Sequence, residues 1–167
     1  MLNEILAPSF KVTSVTQINL SSLKRLGVEG ILLDFDNTLV KWNESSLSRA
    51  IIRWVKAAKA AGFKLCIVSN AVTRRLEEVA LRLGIPFVPQ ALKPSTLGIR
   101  KALKSLDLEA EKTVMVGDQL FTDVLAGKCC GLHTVLVCPE ELKEQWWMKG
   151  VRCLERFVVN QFEVEAA

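Results

Sequence analysis

The stretch 30-GILLDFDNTLV-40 runs from an apolar strand directly into two aspartates, Asp34 and Asp36, which stand two residues apart. Residues 31–33 are all apolar, as expected for a strand that is covered on both faces of a parallel sheet. Two carboxylates about 4 Å apart repel each other by roughly 4 kcal/mol at an effective dielectric constant near 20. Acids placed in this way at the end of a buried strand therefore indicate a bound cation or a catalytic use.

The rest of the chain alternates strand-like apolar runs with helical patterns. Four more apolar runs follow the first one, namely FKLCIVSN, IPFVP, KTVMVGD and HTVLVCP. Between them apolar residues recur at helical spacing, as in Ile51, Trp54 and Val55. This alternation predicts an α/β class protein with a three-layer, Rossmann-like parallel sheet. We expect one domain over residues 1–167, with its core at about 29–138 and with residues up to about Val28 preceding the sheet.

Composition excludes several classes of protein and site. The 167 residues are 50% hydrophobic and 24% charged, which is typical of a globular protein. The net charge of +4 comes without a long basic run, so we expect no nucleic-acid partner. A single histidine excludes metal sites built from several histidines, and no cysteine has an arginine six residues later, which excludes the Cys-x₅-Arg phosphatases. Five cysteines without a C-x-x-C pair, and no secretory signal pattern, predict reduced thiols and a cytoplasmic location.

Polar residues follow the predicted strands at one edge of the sheet, where open parallel sheets bind their ligands. These residues are Asp34, Asp36, Ser69, Asn70, Lys93, Asp118 and, five positions later, Asp123. The three acids Asp34, Asp36 and Asp118 converge on one point and therefore require a cation, and Mg²⁺ suits an oxygen-rich phosphate site. With Lys93 they predict a cradle for phosphoryl transfer. Taken singly, Ser69 and Asn70 could cap a helix, Lys93 could be solvated, and Asp123 could complement a helix dipole.

Four motifs in this order resemble those of the haloacid dehalogenase (HAD) superfamily. DFDNT resembles its D-x-D-x-[TV] motif, LCIVSN its second motif, the lysine of LKP its third, and VMVGDQLFTD its fourth, G-D-x-x-x-x-D. The resemblance implies that Asp34 forms an aspartyl-phosphate, and that Asp36 protonates the leaving oxygen and then activates water. It implies phosphate binding by Ser69, Asn70 and Lys93. It also implies Mg²⁺ ligation by Asp34, the main-chain carbonyl of Asp36 and Asp118, with Asp123 as support.

The spacing of the motifs bears on the substrate. Each gap, from Asp34 to Ser69 and from Ser69 to Lys93, has room for one helix and one strand, which is too little for the cap domain of many HAD phosphatases. We therefore expect a capless, open site. The whole chain resembles the capless YqeG-type branch of HAD subfamily IIIA, including its R-x-x-E-R motif at 152–156, although Val151 stands where that branch usually has Asn. This resemblance implies a phosphatidylglycerophosphate phosphatase that produces phosphatidylglycerol.

The carboxyl-terminal segment suggests contact with a membrane. Trp146 and Trp147 stand among basic residues, a combination that suits an interface with anionic lipid at the inner face of a membrane. The basic residues are Lys143, Lys149, Arg152 and Arg156. The alternative is that the tryptophans pack on the edge of the sheet. Two other functions stay open: a phosphatase for a soluble sugar phosphate or a nucleic-acid terminus, and an inactive module that binds a phosphorylated ligand. The oligomeric state stays open as well.

Overall fold

One parallel sheet forms the centre of the molecule in the computed structural model, which describes residues 6–42, 44 and 46–138. Its strands are β1 (Phe10–Val12), β2 (Gly30–Leu33), β3 (Lys64–Val68), β4 (Phe87–Val88), β5 (Thr113–Gly117) and β6 (His133–Val137). They lie side by side in the order β1-β6-β5-β2-β3-β4, and every neighbouring pair is parallel. The predicted α/β class and parallel sheet are therefore confirmed.

Five α-helices connect these strands in the described part of the chain. They are α1 (Leu20–Arg25), α2 (Arg49–Ala60), α3 (Arg74–Leu83), α4 (Leu97–Leu106) and α5 (Leu125–Cys129). Ser48 and Thr73 begin α2 and α3 as N-caps, since each side chain accepts a hydrogen bond from a backbone amide of the first turn. Gly84 ends α3 in the left-handed conformation, with a φ of 60°. The predicted last helix instead begins as a π-helical turn, Leu120–Val124, before it continues as α5.

Alternate residues of the central strands face two separate hydrophobic cores. Ile31 and Leu33 lie in the core that α1, α2 and α3 cover, whereas Leu32 lies in the core that α4 and α5 cover. Because both faces are buried, the strand has no polar residue and shows no alternation of polar and apolar positions. This two-sided burial produces the three layers that the sequence predicts.

The amino-terminal segment corrects one prediction. Residues before Val28 were expected to precede the sheet, but Phe10–Val12 forms the edge strand β1, with Phe10 opposite Val135 and Val12 opposite Val137 of β6. Three residues are too few to show a strand period, and the partner backbone is more than 120 positions away in the sequence. The segment is held further by Trp54, whose indole donates to the carbonyl of Ile18 at 3.2 Å.

The described loops leave the carboxyl edge of the sheet open. Between Asp34 and Ser69 the described residues form only α2 and β3, and between Ser69 and Lys93 only α3 and β4, so no cap is inserted there. None of the helices in the described ranges combines the length and the apolar character needed to cross a bilayer. The segment with Trp146 and Trp147 and the motif at 152–156 lie outside the described residues, so the membrane prediction made from them stays a prediction.

Candidate active site

The site lies where the strand order reverses, between β2 and β5. The chain leaves β2 toward β3 on one side and later returns to β5 on the other, which opens a crevice at the carboxyl ends of these two strands. Asp34 follows β2 and Asp118 follows β5, so the two acids meet at this crevice. The amide of Asp34 donates to the carbonyl of Val116 at 2.8 Å, which fixes Asp34 against β5.

Three carboxylates converge at this point. Asp34, Asp118 and Asp123 each offer an oxygen within 4.8 Å of the others. Asp123 reaches them from the π-helical turn because Gly117 has no side chain: a Cβ there would lie 2.2 Å from the Asp123 carboxyl carbon. Oδ1 of Asp118 is buried and has no hydrogen-bond partner among the described residues. A buried, unpartnered carboxylate oxygen beside two further carboxylates fits a divalent, oxygen-binding metal ion.

Lys93 is the cation that the fold itself supplies to this cluster. Its ammonium donates to Asp34 Oδ1 at 2.6 Å, to Asp123 Oδ1 at 2.6 Å and to the carbonyl of Val68 at 2.7 Å. All three of its protons are therefore used, and the side chain is only 2% exposed, which rules out a solvated lysine. Burial alone would lower the pKa of Lys93, but Asp34 and Asp123 outweigh it and raise the pKa above its ordinary value.

One ammonium does not neutralise three carboxylates, and the pKa values reflect this. Burial, with the charges of Asp34 and Asp123, raises the pKa of Asp118 from 3.8 to about 8, although the Asn37 side chain donates a hydrogen bond to it. Burial and Asp34 also raise the pKa of Asp123, while Lys93 opposes the rise. Without a metal the cluster therefore relieves its repulsion by binding protons, and a bound divalent cation would take their place.

Ser69 and Asn70 shape the loop after β3 and do not cap a helix, since Thr73 caps α3. The Ser69 hydroxyl accepts from the amide of Ala71 at 3.1 Å. The Asn70 side chain accepts from the Lys93 amide at 2.7 Å and donates to the Lys93 carbonyl at 3.0 Å. Asn70 thus clamps the backbone of Lys93 and fixes where its ammonium reaches the acids.

Arg75 is a site residue that the sequence reasoning missed. Its guanidinium pairs with the carboxylate of Asp36 and donates to the carbonyls of Trp42 at 2.7 Å and Glu44 at 3.1 Å. It also lies over the ring of Phe35, 4.9 Å from the ring centre. No local signal singles out Arg75, because Arg74 occupies the same unfavourable first turn of α3 and is 91% exposed.

Asp36 and Thr38 of the first motif complete the description of the site. Burial raises the pKa of Asp36, and Arg75 opposes that rise. The buried hydroxyl of Thr38 lies 3.5 Å from Asp34 Oδ2. Thr38 and Asn37 belong to the motif DFDNT, yet the predicted set of site residues did not include them. The structure thus brings Asp34, Lys93, Asp118 and Asp123 into one cluster, with Asp36 and Arg75 beside it.

Comparison with known proteins agrees with this geometry. A family profile for haloacid dehalogenase-like hydrolases matches residues 46–131. The chain belongs to this family. It is 36% identical to "Probable phosphatase YqeG" of Bacillus subtilis over 160 residues, which cover 96% of this chain and 93% of that protein. The predicted HAD-type phosphatase is therefore confirmed, and with it the Rossmann-like HAD fold.

One more distant likeness is in sequence and another is in structure. The chain is 25% identical to phosphatidylglycerophosphate phosphatase 1 of Arabidopsis thaliana, over 95% of this chain and 49% of that protein. The cobalt-bound crystal structure of a deoxy-D-mannose-octulosonate 8-phosphate phosphatase from Haemophilus influenzae superposes with a TM-score of 0.53 at 18% identity. The superposition covers 67% of this chain and 69% of that one, and it speaks for the fold alone.

Proposed function

We propose that this chain is a Mg²⁺-dependent phosphatase that acts through a phosphoaspartate on Asp34, and that its substrate is phosphatidylglycerophosphate. The observation that carries the chemistry is the cluster of Asp34, Asp118 and Asp123, with one buried oxygen for which the described part of the chain offers no hydrogen-bond partner. Its three oxygen donors are those that Mg²⁺ prefers. In this proposal Asp34, the main-chain carbonyl of Asp36 and Asp118 hold the ion, and Asp123 supports them.

The two acids of the first motif divide the reaction. A carboxylate oxygen of Asp34 forms a bond to phosphorus as the ester P–O bond breaks, and Asp36 gives its proton to the leaving oxygen. Asp36 then takes a proton from water, whose oxygen attacks phosphorus, releases inorganic phosphate and regenerates Asp34. Bound Mg²⁺ would neutralise charge on the phosphoryl group during transfer. Arg75 fixes the carboxylate of Asp36 for both proton transfers.

Lys93 and the loop after β3 prepare the phosphate site. The ammonium of Lys93 lies 2.6 Å from Asp34 Oδ1 and thereby orients the nucleophile. Asn70 acts through its two hydrogen bonds to the Lys93 backbone. Ser69 is the first residue of the loop after β3, and its hydroxyl accepts from the Ala71 amide in that loop. We assign phosphate binding to Ser69 and to Lys93, whose ammonium would exchange one of its present contacts for a phosphate oxygen. Asn70 is a positioning residue for Lys93.

The chemistry is tested with 4-nitrophenyl phosphate, whose leaving group needs little protonation. We expect turnover with Mg²⁺, none in excess EDTA, and no phosphoenzyme from Asp34→Asn. Asp36→Asn should lower kcat by about 10²–10⁴-fold on a phosphate ester with a poor, alkoxide-like leaving group such as glycerol 3-phosphate, and by less on 4-nitrophenyl phosphate. Asp107→Asn, an exposed acid at the end of α4, is the matched control. Full activity in EDTA would reject the metal, and an active Asp34→Asn protein would reject the covalent step.

The substrate assignment has two supports. The Arabidopsis relative that covers 95% of this chain is named for phosphatidylglycerophosphate, although the chain spans about half of that protein. The described loops leave the site open, so a headgroup could enter while its acyl chains remain in a bilayer. We expect kcat/KM on phosphatidylglycerophosphate in mixed micelles to exceed that on sugar phosphates and 3′- or 5′-phosphorylated oligonucleotides. A preference for one of the soluble substrates would favour that alternative, and no turnover of any substrate would favour an inactive binding module.

A further inference from the structure

Exposed apolar side chains are concentrated around the site. The described residues expose seven large apolar side chains, and four of them follow the carboxyl ends of β2, β3 and β4. These four are Trp42, Val72, Leu92 and Leu97, with exposed fractions of 65%, 67%, 59% and 67%. We call them the apolar rim. Scattered exposed apolar residues are ordinary, but a group at the mouth of one site indicates an interaction surface.

Hydrogen bonds connect the loops that carry the rim. Arg75 binds the carbonyl of Trp42 at 2.7 Å, and Arg75 lies three residues after Val72. The next loop is tied to the loop of Val72 by a hydrogen bond of 3.4 Å from the Gln90 amide to the Ala71 carbonyl. Within it, the Ser95 amide donates to the carbonyl of Leu92 at 2.8 Å, just before α4 begins at Leu97. These hydrogen bonds place the loops that carry the rim beside one another at the carboxyl edge of the sheet.

Leu92 is the member that the fold explains least. Its φ of 56° lies in the left-handed region, which a residue with a branched side chain rarely adopts. Its side chain is 59% exposed, whereas the next residue, Lys93, is buried in the site. Leucine at this position thus suits neither the backbone nor the packing. Residues held in unfavourable conformations are frequent at ligand-binding sites, which indicates that Leu92 contacts a molecule outside the chain.

The chemistry around the rim favours lipid as that partner. Lys41 directly precedes Trp42, and Arg74 lies two residues after Val72; their side chains are 59% and 91% exposed. Glu78 lies 3.7 Å from Arg74, a contact that is easily screened at such exposure, whereas Lys41 has partners within the chain, Glu44 at 3.9 Å among them. Apolar side chains with exposed cations at one border match the interface of a membrane that contains anionic lipid.

We propose that the apolar rim inserts into the interface of an anionic bilayer and presents a lipid phosphate to Asp34. This inference rests on the proposed phosphatase function and adds the surface by which that site meets its substrate. The four residues of the rim belong to the described part of the chain, so docking through them does not depend on Trp146 and Trp147.

The test uses substitutions that remove apolar surface without harming the fold. Leu92→Asn is the sharpest, because asparagine tolerates a positive φ, so the variant should unfold at the same or a higher temperature than the wild type. Leu97→Gln is the second variant, at the exposed first position of α4. Leu81→Gln is the matched control, since Leu81 is 79% exposed but lies toward the far end of α3.

Binding is measured by sedimentation of the full chain with vesicles of phosphatidylglycerol and phosphatidylcholine. We expect the Leu92→Asn/Leu97→Gln double variant to lower the partition coefficient about tenfold or more. Leu81→Gln should stay within about twofold of the wild type, and added salt should weaken binding of every protein. In the double variant, turnover of vesicle-bound phosphatidylglycerophosphate should fall as vesicle binding is lost, whereas turnover of 4-nitrophenyl phosphate should not.

Each other outcome would overturn the inference. A wild-type protein that does not bind the vesicles, or a double variant that binds as tightly as the wild type, contradicts docking through the rim. Self-association of the wild type that the double variant loses, without vesicle binding, would identify a second copy of the chain as the partner. Failure of the phosphatase function is seen separately, as an absence of turnover of 4-nitrophenyl phosphate by a wild-type protein that still binds vesicles.

Discussion

Asp118→Asn should stabilise the metal-free protein while abolishing its activity. Asp118 has a buried oxygen that bonds to none of the residues in the described ranges, and two carboxylates lie within 4.8 Å of it. Asparagine has nearly the same shape and no charge. Its carbonyl can still accept from Asn37, and its amide can donate to a neighbouring carboxylate. The substitution therefore relieves a repulsion that the wild type tolerates for the sake of the metal.

The pKa of Asp118 sets the size of the effect. Folding raises that pKa from 3.8 to about 8, so at pH 7 the carboxyl must bind a proton that it would lack in the unfolded chain. The interval from 3.8 to pH 7, at roughly 1.36 kcal/mol per unit, corresponds to about 4 kcal/mol. Coulomb repulsion of one carboxylate pair at about 4 Å is of the same order. We expect a gain of about 2–4 kcal/mol, or about 5–15 °C in Tm.

The sign of the pH dependence follows from proton counts. Between about pH 4 and pH 8 the folded wild type binds more protons than the unfolded chain, so its stability falls as pH rises through this window. The advantage of Asp118→Asn in EDTA should therefore be larger at pH 8 than at pH 5. Mg²⁺ should raise the Tm of the wild type more at pH 8 than at pH 5, because its ligands must be deprotonated.

Thermal unfolding of the EDTA-treated proteins by calorimetry at pH 5 and pH 8 measures these changes. Asp107→Asn is the control, because Asp107 is exposed and its φ of 50° also suits asparagine. An Asp118→Asn protein that unfolds below the wild type at pH 8 in EDTA, or that Mg²⁺ stabilises as much as the wild type, would refute the reasoning.

Three further variants test the acid cluster and the proposed contact with lipid. Arg75→Met should lower kcat with little change in KM, and should add no further loss in an Asp36→Asn background; additive losses would show that it does not act through Asp36. Lys93→Met should destabilise the metal-free protein to urea by about 3–5 kcal/mol, since it leaves buried carboxylates unpaired; an unchanged urea midpoint would contradict this. Replacing Trp146 and Trp147 with Ala should lower turnover of vesicle-bound lipid more than of 4-nitrophenyl phosphate, whereas equal losses would place both in the core.

Much of the site could be predicted from local sequence because parallel strands end at a common edge. Residues 31–33 have the two-sided apolar character of a central strand, so Asp34 had to lie at its carboxyl end. Gly117 and Asp118 end another such strand, and this brings the second acid to the same edge. The spacing between motifs likewise determined that no cap fits between them. These inferences need only chain direction, residue period and burial.

Tertiary structure alone decided the contacts between distant segments. Arg75 reaches Asp36 across 39 positions, and β1 pairs with β6 across more than 120. In neither pair does the local sequence of one member predict the other, because a side chain or an edge strand binds the groups that the packed sheet places beside it. The same holds for the burial of Lys93 and the exposure of Leu92: adjacent residues take opposite environments because the backbone turns between them.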